Sequence, residues 1–156
     1  MLNTFLEAWK LALNNSKKLT LYQGLKDTFG TEPFLHHVLQ HHRSSLIKLR
    51  LSSHPLAIET GRYNPQEGIS ARRCKLCAPN TDDLRHLPFF DPIMEDEYHL
   101  LATCPLYHDL RSRLPDDVLS LLLQHDLRSV FQDNKKTKSM AIYLTAALKR
   151  RHDYYN

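Results

Sequence analysis

The sequence is poor in glycine and contains no long hydrophobic run. Only four of its 156 residues are glycine, while leucine is abundant, and this composition favours helices. No apolar run approaches the roughly 18–20 residues that span a bilayer, so we expect no membrane-spanning segment. The first ten residues, MLNTFLEAWK, lack the basic, apolar and small-residue regions of a secretory signal.

The cysteines are also few. Three is an odd number, which fits a metal site with three cysteines and one histidine better than a framework of disulfides. Reduced cysteines are typical of intracellular proteins. We therefore expect an intracellular protein, in the cytoplasm, the nucleus or both.

The spacing of hydrophobic residues predicts a mostly α fold with little or no sheet. Hydrophobic residues make up 42% of the chain, which is enough for a core. A strong terminal helix is predicted from Met140, Tyr143, Leu144, Ala147 and Leu148, which share one helical face. Further helices are predicted over residues 2–13, 17–29, 33–40, 42–51, 95–104, 106–114 and 116–124. Residues 52–70 are predicted as loop because they contain two prolines and two glycines.

One pattern uses every cysteine of the chain. Cys74 and Cys77 form a C-x2-C pair, and His99 and Cys104 follow in an H-x4-C pair. Three sulfurs and one imidazole nitrogen make a tetrahedral set that suits Zn²⁺. Two alternatives stay open: His86 or His108 supplies the nitrogen, or the cysteines are small buried residues without a metal.

The same pattern favours a structural zinc site over a catalytic one. A catalytic zinc needs an open coordination position and a nearby general base. The H-x-E and P-C-x-x-C elements of zinc deaminases are absent, and so is H-E-x-x-H. We therefore predict a helical domain stapled by one Cys3His zinc knuckle, and no enzyme.

Charge is unevenly distributed along the chain. The formal net charge is +4, and an acidic stretch at residues 80–97 contrasts with basic clusters elsewhere. Basic side chains contact the phosphates of nucleic acids, and Tyr63 and Tyr98 can stack on bases if they are exposed. The candidate nucleic-acid-binding residues are Arg43, Lys48, Arg50, Arg72, Arg73, Lys75, Lys149, Arg150 and Arg151.

These features divide the chain into three predicted parts. Residues 1–52 form an N-terminal helical segment. Residues 53–107 form the zinc-binding module, with an acidic, proline-rich insertion at 78–94. Residues 108–156 form the C-terminal helices, with a basic end.

Three stretches resemble the C-terminal region of LINE-type (non-LTR) retrotransposon reverse transcriptases. They are LRLSSHPLAIETGRY at 49–63, RCKLC at 73–77 and EDEYHLLATCPLY at 95–107, and residues 22–35 and 141–151 are similar to the usual flanks. The resemblance implies a CCHC zinc-binding segment that lies downstream of a polymerase. Its ligands would be Cys74, Cys77, His99 and Cys104.

The resemblance also implies a function. Such a segment helps the element's polyprotein to hold its nucleic acid, so the expected partners are RNA or single-stranded DNA and other parts of that polyprotein. The paired-aspartate motif of the polymerase is absent, and residues 78–94 are a longer insertion than the family has. We therefore expect a non-catalytic accessory region, as a fragment, a decayed copy or a host gene derived from one.

Two other functions stay open. A zinc-structured protein-interaction module without nucleic-acid binding would fit the acidic stretch better. A nuclease would use Asp116, Asp126 and Asp133 as metal ligands. However, Asp116 and Asp117 are more simply read as helix caps, and no Asp/Glu-x-Lys element accompanies the three carboxylates.

Overall fold

The computed structural model describes residues 2–63, 66, 68–75 and 93–156. Its α-helices are α1 (Leu2–Asn14), α2 (Thr20–Leu25), α3 (Phe34–His37), α4 (Gln40–Arg50), α5 (Ala57–Thr60), α6 (His108–Arg111), α7 (Asp116–Leu123), α8 (Leu127–Gln132) and α9 (Asn134–Tyr155). Short 3-10 turns lie at Gly61–Tyr63, Gly68–Arg72 and Pro105–Tyr107, and a π-helix lies at His99–Thr103. The described residues contain no β-strand, so the predicted mostly α fold is confirmed.

The core is built around α4 and α9, which pack against each other. Leu46 and Leu49 of α4 are fully buried, and so are Ala141 and Leu144 of α9. These positions recur at helical spacing, which gives each helix one apolar face. The same hydrophobic cluster also includes residues of the predicted zinc-binding module, such as Leu100.

The N-terminal helix lies at the edge of this core. Leu13 of α1 is buried, whereas Phe5 is 54% exposed and packs edge-on against Phe29. The helix predicted over residues 17–29 was too long, since only α2 forms there. Phe29 therefore belongs to the connection between α2 and α3 and covers Phe5 and Trp9 of α1.

Two helices were missed. α5 lies inside the stretch that was predicted as loop, and α8 follows α7 after a short turn. The cap of α8 is visible in the sequence: the Asp126 side chain accepts a hydrogen bond from the Ser129 amide at 3.0 Å. Asp133 caps α9 in the same way, through the Lys135 and Lys136 amides. The side chain and then the amide of Ser129 hold the pKa of Asp126 below its ordinary range, and the amides of Lys136 and Lys135 lower the pKa of Asp133.

Candidate metal centre

Cys74, His99 and Cys104 meet in the interior. One ligand atom from each side chain lies within 4.8 Å of the other two. The three residues are 1%, 4% and 0% exposed, respectively. Two sulfurs and an imidazole nitrogen that converge in a buried site can hold a metal ion.

A short antiparallel bridge brings Cys74 to this point. Arg73 pairs with Met94 across the bridge. The Cys74 amide donates to the Ile93 carbonyl at 2.9 Å, and the Glu95 amide donates to the Arg72 carbonyl at 2.9 Å. The backbone that carries the first thiol is thereby fixed beside the segment that leads into His99.

A π-helical turn brings His99 and Cys104 together. The sequence predicted an α-helix here, but residues five apart lie about 140° apart around an α-helix. In the structure the Cys104 amide donates to the His99 carbonyl at 2.8 Å, a five-residue repeat that places both side chains on one side. The turn begins where Asp96 Oδ1 accepts from the His99 amide at 2.7 Å. It ends where Pro105 favours an extended Cys104.

The imidazole of His99 is oriented by a neighbour on the same turn. Its Nδ1 lies 3.0 Å from the hydroxyl oxygen of Thr103. If Nδ1–H donates to that oxygen, the lone pair of Nε2 is available to a metal. Partners of this kind fix the tautomer and the ring plane of histidine ligands in metal sites.

Glu95 joins three parts of the fold next to the cluster. Its two carboxylate oxygens accept from Arg151 Nε at 2.6 Å and from Arg151 Nη2 at 2.7 Å. One of them also accepts from the amide of Ala57 at 2.8 Å. Glu95 thus ties the starts of α5 and of the π-helical turn to the last turns of α9, and it is 2% exposed.

The surroundings of Cys104 contain a buried cation. Arg111 is 8% exposed, and its Nη2 donates to the Cys104 carbonyl at 2.5 Å. Among the described residues no carboxylate forms an ion pair with Arg111. Nearby, the Tyr143 hydroxyl donates to the Leu100 carbonyl at 2.6 Å. Burial raises the pKa of Tyr143 to about 12 and also raises the pKa of Tyr107.

The predicted fourth ligand, Cys77, lies outside the described residues. The alternative ligand His86 does too, because residues 76–92 are not among those described. The other alternative, His108, is exposed at the start of α6 and is not in the cluster. The three described ligands of the Cys3His pattern therefore come together.

The nine candidate nucleic-acid-binding residues lie in different environments. Lys48, Lys75 and Lys149 are exposed, and Arg43, Arg72, Arg73 and Arg150 are partly buried. Arg50 is 3% exposed, donates to Glu32 at 3.1 Å and lies over the rings of Phe34 and Phe131. Arg151 is 9% exposed and paired with Glu95. Neither guanidinium is at the surface, so both are corrected to internal ion-pair residues.

The basic end of α9 is not a continuous patch. Consecutive residues of an α-helix point about 100° apart, so Lys149, Arg150 and Arg151 face three directions. Lys149 pairs with Asp153 at 2.7 Å, and Arg150 pairs with both oxygens of Asp109. The side chains are therefore engaged by carboxylates of this chain.

Comparison with known proteins gives no relative. No family model matches the chain, and no curated protein or solved structure matches it. In the described part of the chain, no helix combines the length and the apolar character that crossing a membrane requires.

Proposed function

We propose that the chain is a zinc-stabilised helical module that binds single-stranded nucleic acid and catalyses no reaction. The observation that carries the proposal is the buried convergence of Cys74, His99 and Cys104. Cys77 follows Cys74 by three residues and would close the coordination sphere as the fourth ligand. A closed tetrahedral set serves structure rather than catalysis.

The positive charge of Arg111 near the cluster supports a zinc site with three thiolate ligands. Zn²⁺ with three thiolates and one neutral imidazole carries a net charge of −1, and a buried charge needs a compensating partner. Arg111 is a buried cation without a carboxylate partner among the described residues, and it is hydrogen-bonded to Cys104. A Cys3His zinc centre would place a negative charge beside Arg111.

Nucleic-acid binding is proposed from the basic residues that flank the first ligand. Arg72, Arg73 and Lys75 surround Cys74, and the bridge to residues 93–95 fixes their backbone. A metal bound at Cys74 would hold this basic segment against the core. Phosphate contacts made by such residues depend on charge and not on base sequence. Lys48 and Arg43 on α4 add to the same class of contact.

The metal part is tested by the zinc content of protein purified from cells. We expect one zinc ion per chain, lost in Cys104→Ser and in Cys77→Ser. His108→Ala is the matched control, because His108 is an exposed histidine four residues after Cys104 and outside the cluster. A folded wild-type protein without zinc, or full zinc content in Cys104→Ser, would overturn this part.

The nucleic-acid part is tested by fluorescence anisotropy with labelled single-stranded RNA and DNA at several salt concentrations. Affinity should fall steeply with salt, and Arg73→Gln and Lys75→Gln should each reduce the logarithmic slope by about 0.7. Lys10→Gln is the control, since Lys10 is exposed on α1 far along the chain from the cluster. Absence of binding at low salt would overturn this part and favour the protein-interaction module.

A further inference from the structure

A second candidate site lies beside the segment that leads into His99. A cavity of about 480 Å³ opens between α2, α5, α8 and residues 96–98, within the size range of small-ligand sites. Lys18, Arg62, Asp96, Glu97, Tyr98 and His125 are among its lining residues. Among the described residues, Cys74, His99 and Cys104 do not line it.

Two of the lining residues occupy unusual backbone conformations. Ser52 has φ of 47° and His125 has φ of 60°, and they are the only non-glycine residues of the described chain with positive φ. Each terminates a helix in the left-handed conformation, with the following amide bonded back across the turn: Ser53 to Lys48 at 2.8 Å and Asp126 to Leu121 at 2.9 Å. Glycine is the residue best suited to these positions.

The side chains of Ser52 and His125 contact two adjacent residues, Glu97 and Tyr98, respectively. Ser52 Oγ lies 3.4 Å from Glu97 Oε1, which also accepts from His54 Nε2 at 2.9 Å. The His125 ring stacks on Tyr98, with centroids 3.7 Å apart and planes 16° apart. A glycine could make neither contact. The cavity wall therefore includes the Glu97 carboxylate, held by Ser52 and His54, and the stacked rings of Tyr98 and His125.

The charges of the lining indicate which ligand fits. Four carboxylates, Glu59, Asp96, Glu97 and Asp126, are among the lining residues. The cations are Lys18, Arg62 and Arg128, of which Arg62 pairs with Glu59 and Arg128 pairs with Asp27. A phosphate is not favoured within such a lining. A planar ring with a hydrogen-bond donor is favoured there. Lys18 and Arg128 are suited to contacting the phosphates on either side of that ring.

We propose that this cavity binds one unstacked, amino-bearing base of a single-stranded nucleic acid, which stacks on the Tyr98–His125 pair and donates its amino group to Glu97. The proposal rests on the proposed nucleic-acid binding and specifies where a base is read. Stacking on aromatic side chains is the common mode of single-strand recognition, and carboxylates accept from the amino group of cytosine. Cytosine should therefore be preferred over uracil.

The test is anisotropy with labelled oligo(C) and oligo(U) RNA. Wild type should bind oligo(C) more tightly, and Glu97→Gln should abolish the preference. Tyr98→Ala should weaken oligo(C) binding by about 5- to 100-fold. Tyr154→Ala should leave it unchanged, because Tyr154 is an exposed tyrosine of α9 that lies outside the cavity.

His125→Gly separates binding from folding. It removes one stacking ring and places glycine at a positive φ, so the melting temperature should stay within about 4 °C of wild type while oligo(C) affinity falls. Equal affinities of wild type, Tyr98→Ala and His125→Gly would overturn the cavity proposal and leave the basic surface standing. No binding of either RNA by wild type would overturn both proposals.

Displacement of oligo(C) by cytidine monophosphate is expected. Argininamide is the alternative probe. If it binds in a Tyr98-dependent way while cytidine monophosphate fails to displace oligo(C), the proposal of a bound base is overturned and the cavity is assigned to a guanidinium of a protein partner.

Discussion

Glu95 and Arg151 form a bidentate ion pair in the interior, with guanidinium–carboxylate contacts of 2.6 and 2.7 Å. The pair joins the last turns of α9 to the residue that follows the Arg73–Met94 bridge. Both side chains are buried, at 3% and 11% exposure, so each charge depends on the other. Elements that lie 56 residues apart are thereby coupled next to the candidate metal centre.

We predict that Arg151→Met will lower the free energy of unfolding by about 3–5 kcal/mol, because it leaves the Glu95 carboxylate buried without its cation. Urea denaturation measures the change. Lys149→Met is the matched control, since Lys149 is a neighbouring cation whose ion pair with Asp153 is exposed. A loss below about 1 kcal/mol in Arg151→Met would show that the pair does not hold the fold together.

The hydrogen bond between His99 and Thr103 should tune metal affinity. We expect Thr103→Val to weaken zinc binding by about tenfold without unfolding the protein, because the imidazole loses the partner that orients it. Competition with a chromophoric chelator measures the affinity. Thr20→Val serves as the control, since the Thr20 hydroxyl donates to the nearby Lys17 carbonyl and Thr20 does not belong to the Cys74–His99–Cys104 cluster. Equal affinity of wild type and Thr103→Val would show that the contact does not act on the metal.

Two glycines offer a paired test of packing around the first ligand. A Cβ at Gly61 would lie 2.7 Å from Arg72 Cγ and 2.9 Å from the Ala71 carbonyl oxygen, whereas a Cβ at Gly24 would meet nothing within 4 Å. Gly61→Ala should therefore displace the segment that carries Cys74 and reduce both thermal stability and zinc affinity. Gly24→Ala, within α2, should raise stability by about 0.5–1 kcal/mol. Unchanged stability in Gly61→Ala would contradict the close packing of Gly61 on residues 71–72.

Tyr143 should make the fold sensitive to alkali. Its pKa is about 12 in the folded protein, because burial opposes ionisation, and about 10 in an unfolded chain. The folded state therefore keeps a proton that the unfolded state loses, and stability should fall as the pH rises above about 10. The fall between about pH 9 and pH 11 should be smaller in Tyr143→Phe, as measured by urea denaturation. Identical pH dependence in the two proteins would exclude this role.

The regular parts of the fold follow from local patterns. The terminal helix α9 has a long apolar face and an aspartate cap, and both features are written in neighbouring residues. α2 was predicted too long because its apolar spacing continues to Phe29, although Phe29 packs on α1 instead. α5 was missed because prolines and glycines surround it. Its start is stabilised by Glu95, a residue 38 positions away.

The candidate metal ligands could be predicted from the sequence, but the structure that positions them could not. Spacing identified Cys74, His99 and Cys104, but the π-helical turn that aligns the last two has no periodicity signal of its own. Glu95 belongs to the acidic stretch at residues 80–97 and begins the helix predicted over 95–104, but nothing in the sequence indicates that it is a buried ion-pair partner. The cluster at 149–151 looked continuous in sequence, yet helical geometry distributes its members around α9.

The most direct test of the account is X-ray absorption spectroscopy at the zinc edge, on protein loaded with one equivalent of zinc. A Cys3His centre predicts three sulfur ligands at about 2.3 Å and one nitrogen ligand at about 2.0–2.1 Å. Cys77→Ser, which should lose its zinc during purification, should show only two sulfurs when it is reloaded with excess zinc, and this would assign the ligand that the described residues do not include. A shell of oxygen and nitrogen only, or no tightly bound zinc, would contradict the metal centre on which the proposed function depends.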